Sequence, residues 1–310
     1  MLFLAHRIKE NRGEIVKDHT FDYEKLCQLL QEIEKEPAVQ ISTLGRSILG
    51  KEIPLLQLGK GKQAVLYVGG MRGTEGATAK LLMDFAAEYL QQLARNATVF
   101  EYPMQYLFAE RRIYLVPMLN PDGISYAING IGQENPMRER VLRMNGQSED
   151  FCAWGANARG VDLGRNFDAG FEKNKQNEIQ NGINGGAPTG FSGEYPESEP
   201  ETAALCRFLR FYREELRGVL SFQLGGGEIF CDCDDNLTAK TMSVGRVLSR
   251  FTGYRLARPE QLTSIGSLSD WCIRELARPA FTMKCGIEAE KYDLAYEHLR
   301  KTLFSFPCIV

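Results

Sequence analysis

Histidine is almost missing from this chain of 310 residues: there are three, His6, His19 and His298, all near the termini. Catalysis through imidazole, or a histidine-rich zinc site, therefore has almost no raw material in the central loops. No run reaches the roughly 18 apolar residues of a membrane span. The opening segment MLFLAHRIKENR stops its apolar run at His6, too soon for the core of a secretory leader. An excess of one charge is also absent. With 37 basic and 40 acidic side chains the net charge is −3, which argues against nucleic acid as the main partner while leaving room for a small basic pocket. The eight cysteines are scattered, as free thiols of a reducing compartment are, so a cytoplasmic location without membrane attachment is expected.

What is present is an ordinary globular composition, 44% hydrophobic and 25% charged, on a chain long enough to bury a core without staples. Helical spacing covers residues 20–36, and two β-like runs follow, VQISTLGRS and EIPLLQLG, split by the turn Leu49-Gly50-Lys51. Ala64–Gly70 reads as a buried strand entering a glycine loop, and an amphipathic helix is predicted over Ala77–Ala94. Arg112–Leu119 reads as another buried strand, closed by the turn Asn120-Pro121-Asp122-Gly123. Residues 124–197 are rich in Gly and Asn without a sustained period, a stretch too long for a passive loop. Ser198 and Glu201 have the spacing of a capping box. Further strands are expected at Gly218–Leu224 and Ala280–Cys285, and helices near Asn236–Phe251, Leu268–Leu276 and Tyr292–Phe304. The pattern is that of one α/β domain over residues 1–310, with residues 1–20 as an N-terminal extension, built around a mostly buried sheet.

Charged residues cluster at the predicted strand ends, where open α/β sheets build their sites. Arg72 and Glu75 follow the strand ending at Gly70, and Arg143 and Arg165 lie in the long central stretch. Lys284 falls inside the apolar strand Phe281–Cys285, where a charge is costly unless it is paired, belongs to a site or lies on an exposed edge. Cys231-Asp232-Cys233-Asp234-Asp235 contains a thiolate pair, but no second pair exists to complete a structural zinc site.

Seven motifs, in order, resemble the zinc metallocarboxypeptidases, most of all the bacterial branch that contains the γ-D-glutamyl–diaminopimelate peptidases. They are Gly69-Gly70-Met71-Arg72-Gly73-Thr74-Glu75, Asn120-Pro121-Asp122-Gly123, Leu142-Arg143-Met144-Asn145, Gly160 to Phe167, Ser198-Glu199-Pro200-Glu201, Ser269-Asp270-Trp271 and Phe281-Thr282-Met283-Lys284. The resemblance implies a three-layer α/β/α sandwich with a mixed sheet of about eight strands between helices, and a zinc held by His, Glu and a second His. The first two ligands belong to an H-x-x-E motif that here reads Arg72-Gly73-Thr74-Glu75, so Glu75 alone is kept. Gln223 stands at the second histidine, and Lys284 replaces the general-base glutamate. Arg143 matches the arginine that polarises the scissile carbonyl. Arg165 matches the arginine that holds the substrate's terminal carboxylate, and Gly164 replaces its usual asparagine neighbour. Ser269 falls where side-chain preference is set, and its small size implies a roomy pocket; a substrate-covering tyrosine would fall near Leu262.

A guanidinium offers zinc no lone pair, and an amide is a poor ligand beside imidazole. No catalytic residue and no metal or other cofactor is therefore expected. Arg72, Lys284, Arg143 and Arg165 against Glu75 keep the pocket positive, with Arg72 and Lys284 expected to pair with Glu75 in the zinc's place. The leading reading is a pseudo-peptidase that binds a small anionic peptide or carboxylate ligand. Two alternatives stay open: a working zinc-dependent peptidase using other ligands, such as Glu75 with Asp or Cys from another loop, and a structural or assembly protein that kept only the fold.

Overall fold

The computed structural model describes residues 21–231, 238–257, 266–287 and 291–310. Helix α1 (Tyr23–Ile33) starts where the Asp22 carboxylate accepts the Lys25 N–H at 3.0 Å. Strands β1 (Val39–Arg46) and β2 (Glu52–Leu58) form an antiparallel hairpin, and β3 (Gln63–Val68) leads into α2 (Gly76–Ala94). A small hairpin, β4 (Thr98–Val99) with β5 (Tyr102–Pro103), and α3 (Met104–Glu110) precede β6 (Arg111–Val116). The expected turn after β6 is instead the first turn of α4 (Pro121–Asn129): Asn120 caps it by accepting the Gly123 N–H, and Pro121 starts it. The Gly/Asn-rich stretch holds α5 (Arg138–Met144), a 3₁₀ turn at Leu163–Arg165 and α6 (Phe171–Gln180). Then come α7 (Pro200–Phe211), β7 (Leu216–Leu224), β8 (Glu228–Phe230), α8 (Thr238–Thr252), β9 (Arg255–Ala257), α9 (Leu268–Trp271) continued by a π turn at Cys272–Leu276, β10 (Ala280–Cys285) and α10 (Tyr292–Ile309).

Eight strands form one mixed sheet in the order β1-β2-β6-β3-β7-β10-β8-β9, as expected. The centre, β6-β3-β7-β10, is parallel. Its strands are apolar on both faces because helices cover both faces. Val65, Tyr67, Leu220, Phe222 and Met283 pack towards α2, α8 and α10. Leu66, Val68, Leu216, Val219 and Ala280 pack towards α7 and α9. Parallel pairing brings the carboxyl ends of β3, β7 and β10 to one edge of the sheet, where the charged residues collect. Among the described residues no helix is long and apolar enough to cross a membrane. Residues 1–20, with His6 and His19, lie outside the described residues, and His298 is exposed.

The capping box at Ser198 does not form. Pro200 starts α7 after Glu199, and the Glu201 carboxylate turns away to accept the Ile48 N–H at 3.2 Å. Asn157 donates to Glu199 at 2.8 Å and to Glu201 at 3.4 Å, and its own carbonyl oxygen accepts the N–H groups of Arg159 and Val161. The buried start of α7 thus anchors the loop leading to residue 162. Burial pushes Glu201 up to about 8, with the nearby negative charges of Glu199 and Asp122 adding to the shift. A carboxyl that stays protonated in the fold but ionises near 4.5 when unfolded stabilises most at low pH. The unfolding free energy read from urea titrations should therefore fall between pH 4.5 and 8, by on the order of 1 kcal/mol per pH unit. Glu201→Gln should flatten that slope.

Candidate functional site

The chain leaves β3 through Gly69 and Gly70, whose carbonyls accept the N–H groups of Leu119 and Asn120 in the loop after β6. Gly73 then passes so close to the central stretch that a Cβ would stand 2.2 Å from the Trp154 carbonyl and 2.6 Å from that of Gly123. Only glycine fits, and its N–H donates to the Gly155 carbonyl at 3.0 Å. This contact presses Arg72 and Glu75 against the loop carrying Asp162.

Asp162 is the centre of the cluster. It is 4% exposed, and its backbone N–H donates to the Phe191 carbonyl at 2.7 Å. Its Oδ1 accepts the Arg72 Nε–H at 3.3 Å and the Gly164 N–H at 3.1 Å, and its Oδ2 lies 3.5 Å from Arg165 Nε. Arg165 is gripped a second time by Asn174 of α6, whose Oδ1 accepts from Nη1 at 3.3 Å while its Nδ2 donates to the Arg165 carbonyl at 3.3 Å. Asp162 is the main cause that holds Arg72 protonated more firmly than an ordinary arginine.

Glu75, 2% exposed, lies beneath. It accepts the Arg72 backbone N–H at 3.2 Å and has Arg72 Nη1 at 3.9 Å. Burial pushes its carboxyl up to about 7, against the lowering pull of the Arg72 charge and of N–H groups from Arg72 and Leu224. The expected pairing of Arg72 with Glu75 is thus present, but secondary to Asp162.

Lys284 does not join it. It sits on β10, an interior strand between β7 and β8, opposite Gln223. Its side chain runs beside Gly225, where an added Cβ would come within 2.8 Å of Lys284 Cβ, and its Nζ ends 4.5 Å from the Phe230 ring centroid. The ammonium takes an aromatic face instead of a carboxylate; among the described residues it forms no ion pair. Gln223 is buried at the end of β7. Ser269 is buried rather than lining open space: its hydroxyl is 3.0 Å from those of Ser267 and Thr282, and Ser221 donates to Thr282 at 3.1 Å. Arg143 is exposed in the last turn of α5, and no described contact ties it to the cluster. Gly164 lies beside Arg72: a Cβ there would be in ordinary contact with Arg72 Nη2 at 3.5 Å and tighter, at 3.2 Å, against Asp162 Oδ1. Leu262 and residues 232–235 of the Cys–Asp run lie outside the described residues. Among the described residues, no three His, Cys, Asp or Glu side chains converge as a metal site would require.

Asp162 and Asn174 were not singled out from the sequence. An aspartate inside Val161-Asp162-Leu163 was the available signal for the first, and nothing local marked the second.

The zinc carboxypeptidase family pattern (peptidase M14) matches residues 26–289. The chain is 27% identical to the γ-D-glutamyl-L-diamino acid endopeptidase 1 of Lysinibacillus sphaericus over 89% of its length, spanning 69% of that relative. It is also 27% identical to an uncharacterized protein of Bacillus subtilis over 81% of its length, spanning 65% of that protein, just under two thirds. A carboxypeptidase A from Helicoverpa armigera superposes with a TM-score of 0.69 at 16% identity, over 93% of this chain and 73% of that one, a likeness of fold.

Because the Arg72 charge is what holds the Glu75 carboxyl down, Arg72→Met should move it above about 7. The carboxyl carbon signal in an NMR titration reads this directly; an unmoved or lowered value would show that Arg72 does not face Glu75.

Proposed function

The chain belongs to the zinc carboxypeptidase family, and from that membership we propose that it is a pseudo-peptidase: a metal-free pocket that binds an anionic ligand and does not hydrolyse it. The observation that carries this reading is the guanidinium of Arg72, fastened to Asp162 at 3.3 Å, at the position where the resemblance of Arg72-Gly73-Thr74-Glu75 to an H-x-x-E motif puts the first zinc ligand. The remaining donor set points the same way. Arginine has no lone pair to give, Gln223 brings an amide, and Glu75 already accepts N–H bonds. These residues do not fit a zinc ion. In the family, zinc lowers the pKa of a bound water and polarises the carbonyl. A glutamate base takes the water's proton, and Lys284 at that place brings an amine instead of a carboxylate.

The ligand-holding side is retained in part. Arg165 presents a guanidinium braced by Asp162 and Asn174, suited to a carboxylate by its forked donors. The relative from Lysinibacillus sphaericus is a γ-D-glutamyl-L-diamino acid endopeptidase, which supports an acidic peptide of the cell-wall type as ligand. In a cytoplasmic setting such peptides are recycled or precursor fragments. Isothermal calorimetry with an acyl-γ-D-glutamyl-diamino acid peptide and with its C-terminal amide tests the proposal. Binding of the free acid without cleavage is expected, with Arg165→Gln weakening it about tenfold or more. Zinc-dependent turnover would establish a working peptidase instead, and binding of neither peptide would leave only a structural role.

A further inference from the structure

The arginine pair has donors to spare. Arg72 bonds Asp162 through Nε, and neither its Nη1 nor its Nη2 makes a hydrogen bond among the described residues. Arg165 faces the same carboxylate through Nε and Asn174 through Nη1, leaving Nη2 unspent. Both arginine side chains are partly open to solvent, 27% and 24% exposed, while the carboxylate between them is buried.

Two guanidiniums held by one carboxylate repel each other, and a second anion on their open side would relieve that repulsion. A carboxylate has two oxygens in one plane, which a single guanidinium fork satisfies. A phosphoryl group offers three acceptor oxygens and, as a monoester near neutral pH, a charge of about −1.5 to −2. Three unspent Nη groups on two side chains match the second geometry better. We propose that Arg72 and Arg165 form a receptor for a tetrahedral dianion, the phosphate group of a phosphomonoester or free phosphate. This deepens the reading of the pocket as an anion site and rests on it. Arg72 thereby becomes a ligand-binding residue.

Calorimetry at low ionic strength with inorganic phosphate, phenyl phosphate and acetate tests this. Phosphate or phenyl phosphate should bind about tenfold or more tightly than acetate. Preference for phenyl phosphate identifies an esterified ligand, and preference for inorganic phosphate a free one. Arg72→Gln and Arg165→Gln should each weaken phosphate binding about tenfold, with thermal melts checking that the variants fold. In the unsubstituted protein, phosphate should shift the side-chain NMR signals of both arginines, a readout independent of any variant. Acetate binding as tightly as phosphate, or phosphate leaving both signals unmoved, overturns the proposal. If the peptide carboxylate binds while phosphate does not, the anion pocket stands and the dianion falls; if no anion binds, both fall.

Discussion

Asp162 commits each of its carboxylate oxygens to a different arginine, and the geometry of the site follows from that division. A carboxylate so buried is tolerable only when opposite charge and N–H donors surround it. Arg72, Arg165 and the Gly164 N–H meet that need. The arginines depend on the carboxylate in turn, because without it two guanidiniums would crowd one partly dry corner. Asn174 then fixes the plane of Arg165, and Glu75 sits under Arg72 as a weaker partner pushed towards neutrality by burial. Gly164 completes the arrangement by giving its N–H to Asp162.

The scaffold delivers this cluster by ordinary means. Parallel strands β3, β7 and β10 end on one edge, so the loop carrying Arg72 and Glu75 leaves the sheet at the same edge as Gln223, although they are far apart in sequence, while Lys284 opposite Gln223 turns to Phe230. Asp162 reaches them on a loop held at its base by Asn157, which is itself held by the buried carboxylates at the start of α7. The acidic cluster under the loop and the basic pair above it form one load path from helix to site.

Much of this was legible in the sequence. The strands announce themselves by continuous apolar runs such as Ala64–Val68 and Ala280–Cys285, because both faces of a covered parallel sheet need apolar side chains. The eight-stranded sheet and the convergence of Arg72 and Glu75 followed from the ordered motifs. The departures arise where a polar side chain had a choice of partners. Glu201 preferred the Ile48 N–H to its own helix end. Lys284 preferred Phe230 to Glu75, and Arg72 preferred Asp162. Local spacing constrains none of these choices, because each depends on a partner brought near by the fold. Asn174 was invisible for the same reason, being an unremarkable polar residue on a helix until the fold sets it beside Arg165.

In the proposed pseudo-peptidase a guanidinium stands where the family holds a metal. Zinc per chain, measured by elemental mass spectrometry on protein produced with zinc supplied and purified without chelator, tests that claim most directly. Zinc far below one equivalent, unchanged by added zinc, is the predicted result. One tightly held zinc per chain would contradict the account, since Arg72 could not then occupy the place assigned to it.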